Sequence, residues 1–220
     1  MRRGLFVTGT DTGVGKTVVA AALLHRYRAD GPVRYWKPIQ TGIEQDDDTA
    51  EAGRLGACRP EEVFASGVRL PRPVSPHLAA KLSGSTITLQ PLLDSIRAEP
   101  ASAFWVVEGA GGVLVPINGA DTMADLMIHL QLPVVVAARS SLGTINHTLL
   151  TLEALRRRDL HVAGVVMVGH RNSDNRAAIE RHGQVTVLGE MPMFEPLTAE
   201  RVGAWAAAEL DPDRLLHVAS

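Results

Sequence analysis

The chain has 220 residues, 45% of them hydrophobic and 21% charged, which is length and apolar content enough for one compact core. Its 22 basic and 24 acidic residues leave a formal charge of -2, which argues against a basic arm or a general polyanion binder, so nucleic acid is not an expected partner. The one cysteine, Cys58, allows no intramolecular disulfide and no paired-cysteine zinc site, and a reducing cytoplasm is the expected setting. The opening MRRGLFVTG reaches Thr8 and Gly9 before an apolar signal region develops, no run of 18 apolar residues occurs, and the tail from Leu215 to Ser220 carries no basic amphipathic pattern; neither a signal peptide nor a membrane partner is expected.

Short β-rich apolar runs alternate with segments of helical period, the pattern of a doubly wound α/β fold with a mostly parallel sheet flanked by helices. The first strand is expected at Gly4 to Thr8, followed by a glycine-rich turn and a helix from about Lys16 to Ala29. A second strand follows at Val33 to Lys37. Further buried strands are expected at Phe104 to Glu108, Val134 to Ala138, Val162 to Val168 and Val185 to Leu188, with helices near Ile145 to Arg157 and Asp174 to His182. The Pro, Ser and Gly content of Leu70 to Ser85 is too interrupted by apolar residues for a linker, so residues 1–220 read as one domain.

The turn after the first strand, Gly9-Thr10-Asp11-Thr12-Gly13-Val14-Gly15-Lys16-Thr17, ends in the Gly-Lys-Thr of a phosphate-binding loop and opens directly into a helix. In such loops the amides of residues such as Gly13, Val14 and Gly15 converge on phosphate oxygens, the helix dipole adds positive potential, Lys16 reaches β- and γ-phosphates, and Thr17 offers a hydroxyl to magnesium. Five residues rather than four separate Gly9 from Gly15, a departure from the generic spacing. A nucleoside triphosphate and Mg2+ are the expected ligands, with ATP the expected nucleotide and a glycine-rich turn that binds nothing the plainer alternative.

Lysine is rare: of the 22 basic residues only Lys16, Lys37 and Lys81 are lysines. Lys37 ends the second strand in Lys37-Pro38-Ile39-Gln40-Thr41-Gly42, where ligands bind in open α/β sheets, and reads as catalytic or substrate-binding. Asp46-Asp47-Asp48 follows, a hydrated acidic loop in which one carboxylate would hold magnesium. The apolar strand at Phe104 ends in Glu108 and a glycine cluster, Gly109 to Gly112; an acid there suits magnesium in phosphate-loop proteins, and a cap on the next helix is the plainer alternative. Leu142-Gly143-Thr144-Ile145-Asn146-His147 precedes a long helix, giving either a second anion site or an ordinary helix start capped by Thr144. The eight histidines show no metal pattern, and His77 and His147 read as loop organisers.

Together with Ser75-Pro76-His77 and Gly189-Glu190-Met191-Pro192, these motifs resemble one family, the dethiobiotin synthetases, which carboxylate a diamine at the expense of ATP and close the ureido ring in biotin biosynthesis. The resemblance implies 7,8-diaminopelargonic acid, carbon dioxide and ATP as substrates, with Mg2+. It further implies a homodimer in which the carboxylate of the diamine meets Gly143 to Asn146 of the partner. Lys16 and Lys37 would carry the catalytic charge, Thr12 and Thr41 would orient substrate and phosphate, and Thr17, Asp48 and Glu108 would hold magnesium. Some members end the strand matching Val162 to Val168 with an asparagine that reads adenine; here Val168-Gly169-His170 stands instead, so base reading would rest on backbone near Val168, Gly169 and Gly189 to Pro192, with weak discrimination among bases. The rival class is a nucleotide-switch ATPase of the partition and division-site type. That class carries a further lysine early in its loop, where this sequence has Thr8-Gly9-Thr10-Asp11. A glutamine-dependent amidoligase is a second rival, and the chain is too short for its glutaminase domain.

Overall fold

The computed structural model describes residues 2–213 and 216. The elements run, in chain order, β1 (Gly4–Gly9), α1 (Lys16–Arg28), β2 (Val33–Trp36), β3 (Ile39–Thr41), α2 (Asp48–Leu55), a 3-10 turn (Pro60–Glu62), β4 (Val63–Phe64), β5 (Val68–Leu70), α3 (Pro76–Leu82), α4 (Leu89–Arg97), β6 (Phe104–Gly112), α5 (Met123–Leu130), β7 (Val134–Arg139), α6 (Thr144–Arg156), β8 (Val162–Val168), α7 (Ser173–Gly183), β9 (Val187–Met191) and α8 (Ala199–Glu209). A seven-stranded sheet has the order β4-β2-β6-β1-β7-β8-β9, and β3 and β5 form a separate pair. All the ladders are parallel. Parallel strands need both faces covered, which is why β1, β6 and β7 each contain an unbroken apolar run (Leu5-Phe6-Val7, Phe104-Trp105-Val106-Val107 and Val134 to Ala138) rather than an alternating sequence.

One apolar layer packs Phe6, Trp36, Trp105, Val107, Val134 and Val136 under the helices that include α4, α5 and α6. The other packs Leu5, Val7, Tyr35, Val106, Val135 and Val166 under α1, α2 and α8. Burial of α1 along Val19 to Leu24 fixes its N-terminus, and therefore the preceding loop, against the carboxyl ends of the strands.

The expected elements are present with shifted ends. The last strand runs from Val187 to Met191 rather than from Val185 to Leu188, because its ladder begins where Val187 faces Val165 and continues until Met191 faces Val168. Glu108 caps no helix: β6 continues through it to Gly112. The cap of α2 is Asp47, whose side chain accepts from the amides of Thr49 and Ala50, and Asp48 is the first residue inside the helix. At α6 the cap position is Gly143, in the left-handed region at φ 93° with no side-chain cap bond. Thr144 therefore does not cap that helix; it lies one position inside, with its hydroxyl buried and unpaired among the described residues. His77 and His147 sit on α3 and α6, both exposed. Among the described residues no helix is long and apolar enough to cross a membrane; of the tail Leu215 to Ser220, only Leu216 is described.

Candidate active site

Three neighbouring strands, β2, β6 and β1, deliver the site. The phosphate loop follows β1, and Lys37 follows the end of β2. Trp36 faces Val107, which brings Lys37 level with Glu108. Glu108 in turn faces Val7, two residues short of the loop. Lys37 Nζ lies 2.6 Å from Glu108 Oε1 and 2.7 Å from Asp48 Oδ2, and donates to the Gly109 carbonyl at 3.2 Å. Lys37 and Glu108 are buried, at 1% and 0% exposure, so neither charge is neutralised by water. Burial alone would depress the Lys37 ammonium; Glu108 and Asp48 outweigh it and hold the group above its ordinary value.

Lys16 sits in the opposite electrical setting. Burial first, then the charge of Lys37, pushes it down to about 8, and its ammonium donates to the loop's own Asp11 carbonyl at 2.9 Å. Thr17 Oγ1 lies 3.0 Å from Glu108 Oε1 and 3.2 Å from Asp48 Oδ1. These are three hard oxygen donors on one side of the loop. They fit magnesium, which takes one or two carboxylates and completes its octahedron with water and substrate phosphates rather than with a full protein cage. Among the described residues there is no group of three or more His, Cys, Asp or Glu that could hold a metal ion by itself.

The loop geometry needs its glycines. Gly13 and Gly15 take φ of 70° and 94°, in the left-handed region, and a Cβ on Gly15 would press on Val168 at 3.1 Å. Asp11 stiffens the loop from outside, with Oδ1 accepting the Thr12 amide at 2.7 Å and Oδ2 accepting from Arg139 at 2.9 Å.

Two cavities meet at the loop, both touching Thr12, Gly13, Gly15 and Val18. One, of about 570 Å³, is lined by Lys16, Thr17, Lys37, Thr41, Asp48 and Glu108 among others. The other, of about 460 Å³, is lined by Val14, Arg139, Val168, Met191, Pro192 and Phe194 among others. The structure thus gathers Thr12, Gly13, Val14, Gly15, Lys16, Thr17, Lys37, Thr41, Asp48, Glu108, Val168 and Pro192 around the loop. It does not bring in Gly189, which lies within β9 with its Cα turned to Trp205 of α8, where a Cβ would meet the indole at 2.9 Å. The Gly169 amide is already given to the Met191 carbonyl at 2.8 Å. Gly143, Thr144, Ile145 and Asn146, at the start of α6, line neither cavity in this single chain.

Other residues were not legible as site residues. Tyr35 donates from its buried hydroxyl to Glu108 Oε2 at 2.8 Å, and burial followed by the Glu108 charge keeps the phenol well above its ordinary value. Gln40 accepts from Thr49 Oγ1 at 2.8 Å and donates toward Asp46 and Asp47, while Arg69 donates to the Lys37 carbonyl at 2.9 Å, tying the acidic loop to the lysine strand. The strand alternation of Tyr35 with Lys37 is the one sequence signal that would have pointed to the phenol.

A parallel sheet wound on both sides by helices, with a Gly-Lys-Thr loop opening α1 and an acid on the neighbouring strand, defines a phosphate-loop nucleotide-binding domain. A family model described as an AAA domain matches residues 3–201. A ParA family ATPase from Chlorobium tepidum TLS shares the fold at a TM-score of 0.59 over 94% of this chain and 98% of that one, at 10% identity. The chain is 50% identical to an ATP-dependent dethiobiotin synthetase BioD from Paramagnetospirillum magneticum over 91% of its own length and 93% of that protein's. It is 43% identical to the protein of the same name from Brucella ovis, over 92% of each chain. It also matches a biotin biosynthesis bifunctional protein BioCD from Bordetella avium at 47% identity, over 97% of this chain but 44% of that longer protein. The chain belongs to the dethiobiotin synthetase family and is an ATP-dependent ligase of biotin biosynthesis.

Proposed function

We propose that this chain carboxylates 7,8-diaminopelargonic acid with carbon dioxide and closes it to dethiobiotin, converting ATP to ADP and phosphate. The convergence of Lys16, Lys37, Thr17, Asp48 and Glu108 on one cleft carries the reading. Carbon dioxide adds to one amine of the substrate to form a carbamate, whose oxygen attacks the γ-phosphorus of ATP. ADP leaves, a mixed carbamic-phosphoric anhydride remains, and the second amine attacks its carbonyl to expel phosphate and form the cyclic urea. The protein's share is positioning and charge neutralisation. Lys37 stabilises the carbamate and the transferring phosphoryl group, Lys16 holds the β- and γ-phosphates, and Thr12 and Thr41 orient substrate and phosphate. Thr17, Asp48 and Glu108 would hold Mg2+, which when bound offsets the charge of the phosphate oxygens.

The cavity along Val168, Met191, Pro192 and Phe194 takes the base. The chain works as a homodimer in the cytoplasm, as a single domain, with the helix start at Gly143 to Asn146 receiving the substrate carboxylate of the partner's site. Incubation with magnesium, ATP and bicarbonate tests the reading: ADP and phosphate should form only when the diamine is added. Hydrolysis without the diamine, stimulated instead by a protein or DNA partner, would overturn it in favour of a nucleotide switch.

A further inference from the structure

The carboxylate of Glu108 is divided between two environments. Tyr35 faces Val106 across the β2–β6 ladder, and Glu108 stands two residues further along the same face of β6, within diagonal reach of an aromatic side chain. The Tyr35 hydroxyl takes Glu108 Oε2 at 2.8 Å on the protein side. On the cleft side Oε1 accepts from Lys37 Nζ at 2.6 Å and from Thr17 Oγ1 at 3.0 Å. Both Tyr35 and Glu108 are fully buried, so water does not compete for Oε2.

We propose that Tyr35 is a positioning residue which, by occupying Oε2 of Glu108, restricts that carboxylate to ligation through the single oxygen Oε1 and so favours magnesium over calcium. Magnesium demands a small, near-ideal octahedron with one oxygen from each carboxylate, whereas calcium takes six to eight ligands and readily accepts both oxygens of one carboxylate. Partners that orient a ligating group are worth tenfold or more in metal affinity. The inference rests on the reading of Glu108 as a metal ligand.

Tyr35→Phe removes the hydroxyl and keeps the ring in the apolar layer that also holds Leu5, Val7, Val33 and Val106. Calorimetric titrations of Mg2+ and of Ca2+ into the chain saturated with a non-hydrolysable ATP analogue should show magnesium affinity reduced about tenfold and calcium affinity unchanged or raised. In a Glu108→Gln background the same substitution should add nothing. An unchanged magnesium-to-calcium ratio in Tyr35→Phe, with Glu108→Gln still weakening magnesium, overturns the role of Tyr35 alone. Unchanged magnesium affinity in Glu108→Gln overturns the metal reading and the inference with it.

A second measurement serves if Tyr35→Phe does not fold. The sequence holds two tyrosines, Tyr27 and Tyr35, so a Tyr27→Phe chain made with 3-fluorotyrosine carries one fluorine reporter, beside Glu108. Its resonance should move on addition of magnesium with the analogue and stay still in Glu108→Gln. A resonance indifferent to magnesium in the Glu108 chain also overturns the proposal.

Discussion

Lys16 and Lys37 carry the same charge in different settings, and their expected behaviour differs accordingly. Lys37 is matched by two carboxylates at 2.6 and 2.7 Å, whereas Lys16 is held by a loop carbonyl beside another cation. On the proposed mechanism, replacing either by alanine should lower turnover at least about a hundredfold, because each would stabilise charge that develops in phosphoryl transfer. Lys81→Ala should leave steady-state rates unchanged, since Lys81 is exposed on α3. Near-normal turnover in Lys37→Ala would remove it from the mechanism. With Lys16 at about 8 in the free chain, kcat/KM for ATP should fall as pH rises through about 8, by roughly tenfold per unit beyond it, because the neutral amine no longer attracts phosphate. Lys16→Arg keeps its charge across that range, so its profile should lose this limb even where its rate is lower. A limb that persists in Lys16→Arg would assign it to another group.

At the scale of one element, the start of α2 separates three adjacent acids that look alike in sequence. Asp47 caps the helix, and its bonds from the Ala50 and Thr49 amides and from Gln40 hold it below the ordinary carboxylate range. Asp48, one residue on, faces Lys37 and Thr17. Asp47→Ala should therefore cost about 1 kcal/mol of stability in chemical denaturation. Asp48→Asn, like Glu108→Gln, should raise the magnesium concentration needed for half-maximal rate, and Asp46→Asn should do neither. Equal kinetic effects at all three would mean a diffuse acidic field instead of a ligand.

The loop, Lys37, Asp48 and Glu108 were legible because each carries a distinctive local pattern: the loop and Lys37 at strand ends, Asp48 at a helix start, and Glu108 as an acid that closes an apolar run inside β6. Tyr35 was not, since its partner is set by which strand lies beside β2, and that is fixed by topology rather than by neighbours in sequence. The two-residue β4 and three-residue β3 and β5 carry too little periodicity to read. In α4, Leu89, Leu92, Leu93 and Ile96 follow a helical stripe, but over only 9 residues.

Across the whole molecule, the cleft proposed to take the nucleotide is assembled from parts far apart in the chain: the loop, the end of β8 and the segment after β9. The cavity proposed for the base is lined by Val18, Val168, Met191, Pro192, Phe194 and Leu197, with Arg139 and Ser141 also on its wall. Apolar side chains grip any base face without reading its edge, and the Gly169 amide is committed to Met191. Turnover with ATP, CTP and GTP at equal magnesium should therefore differ by far less than a hundredfold, because an absent bidentate amide contact forfeits about 1–3 kcal/mol of selectivity. A preference for ATP above about a hundredfold would show that backbone groups suffice to read adenine.

The two apolar layers on either side of the sheet also divide the protein's own fluorophores. Trp36 and Trp105, both fully buried, belong to the layer that includes α4 and α5, whereas Trp205, 5% exposed, belongs to the layer of α1, α2 and α8. Chains that keep only one indole would each emit from a single layer, shielded from aqueous quenchers while that layer stays closed. Loss of packing on one face would thus be seen optically apart from loss on the other, and Trp36, next in sequence to Lys37, would report on the strand that leads into that lysine.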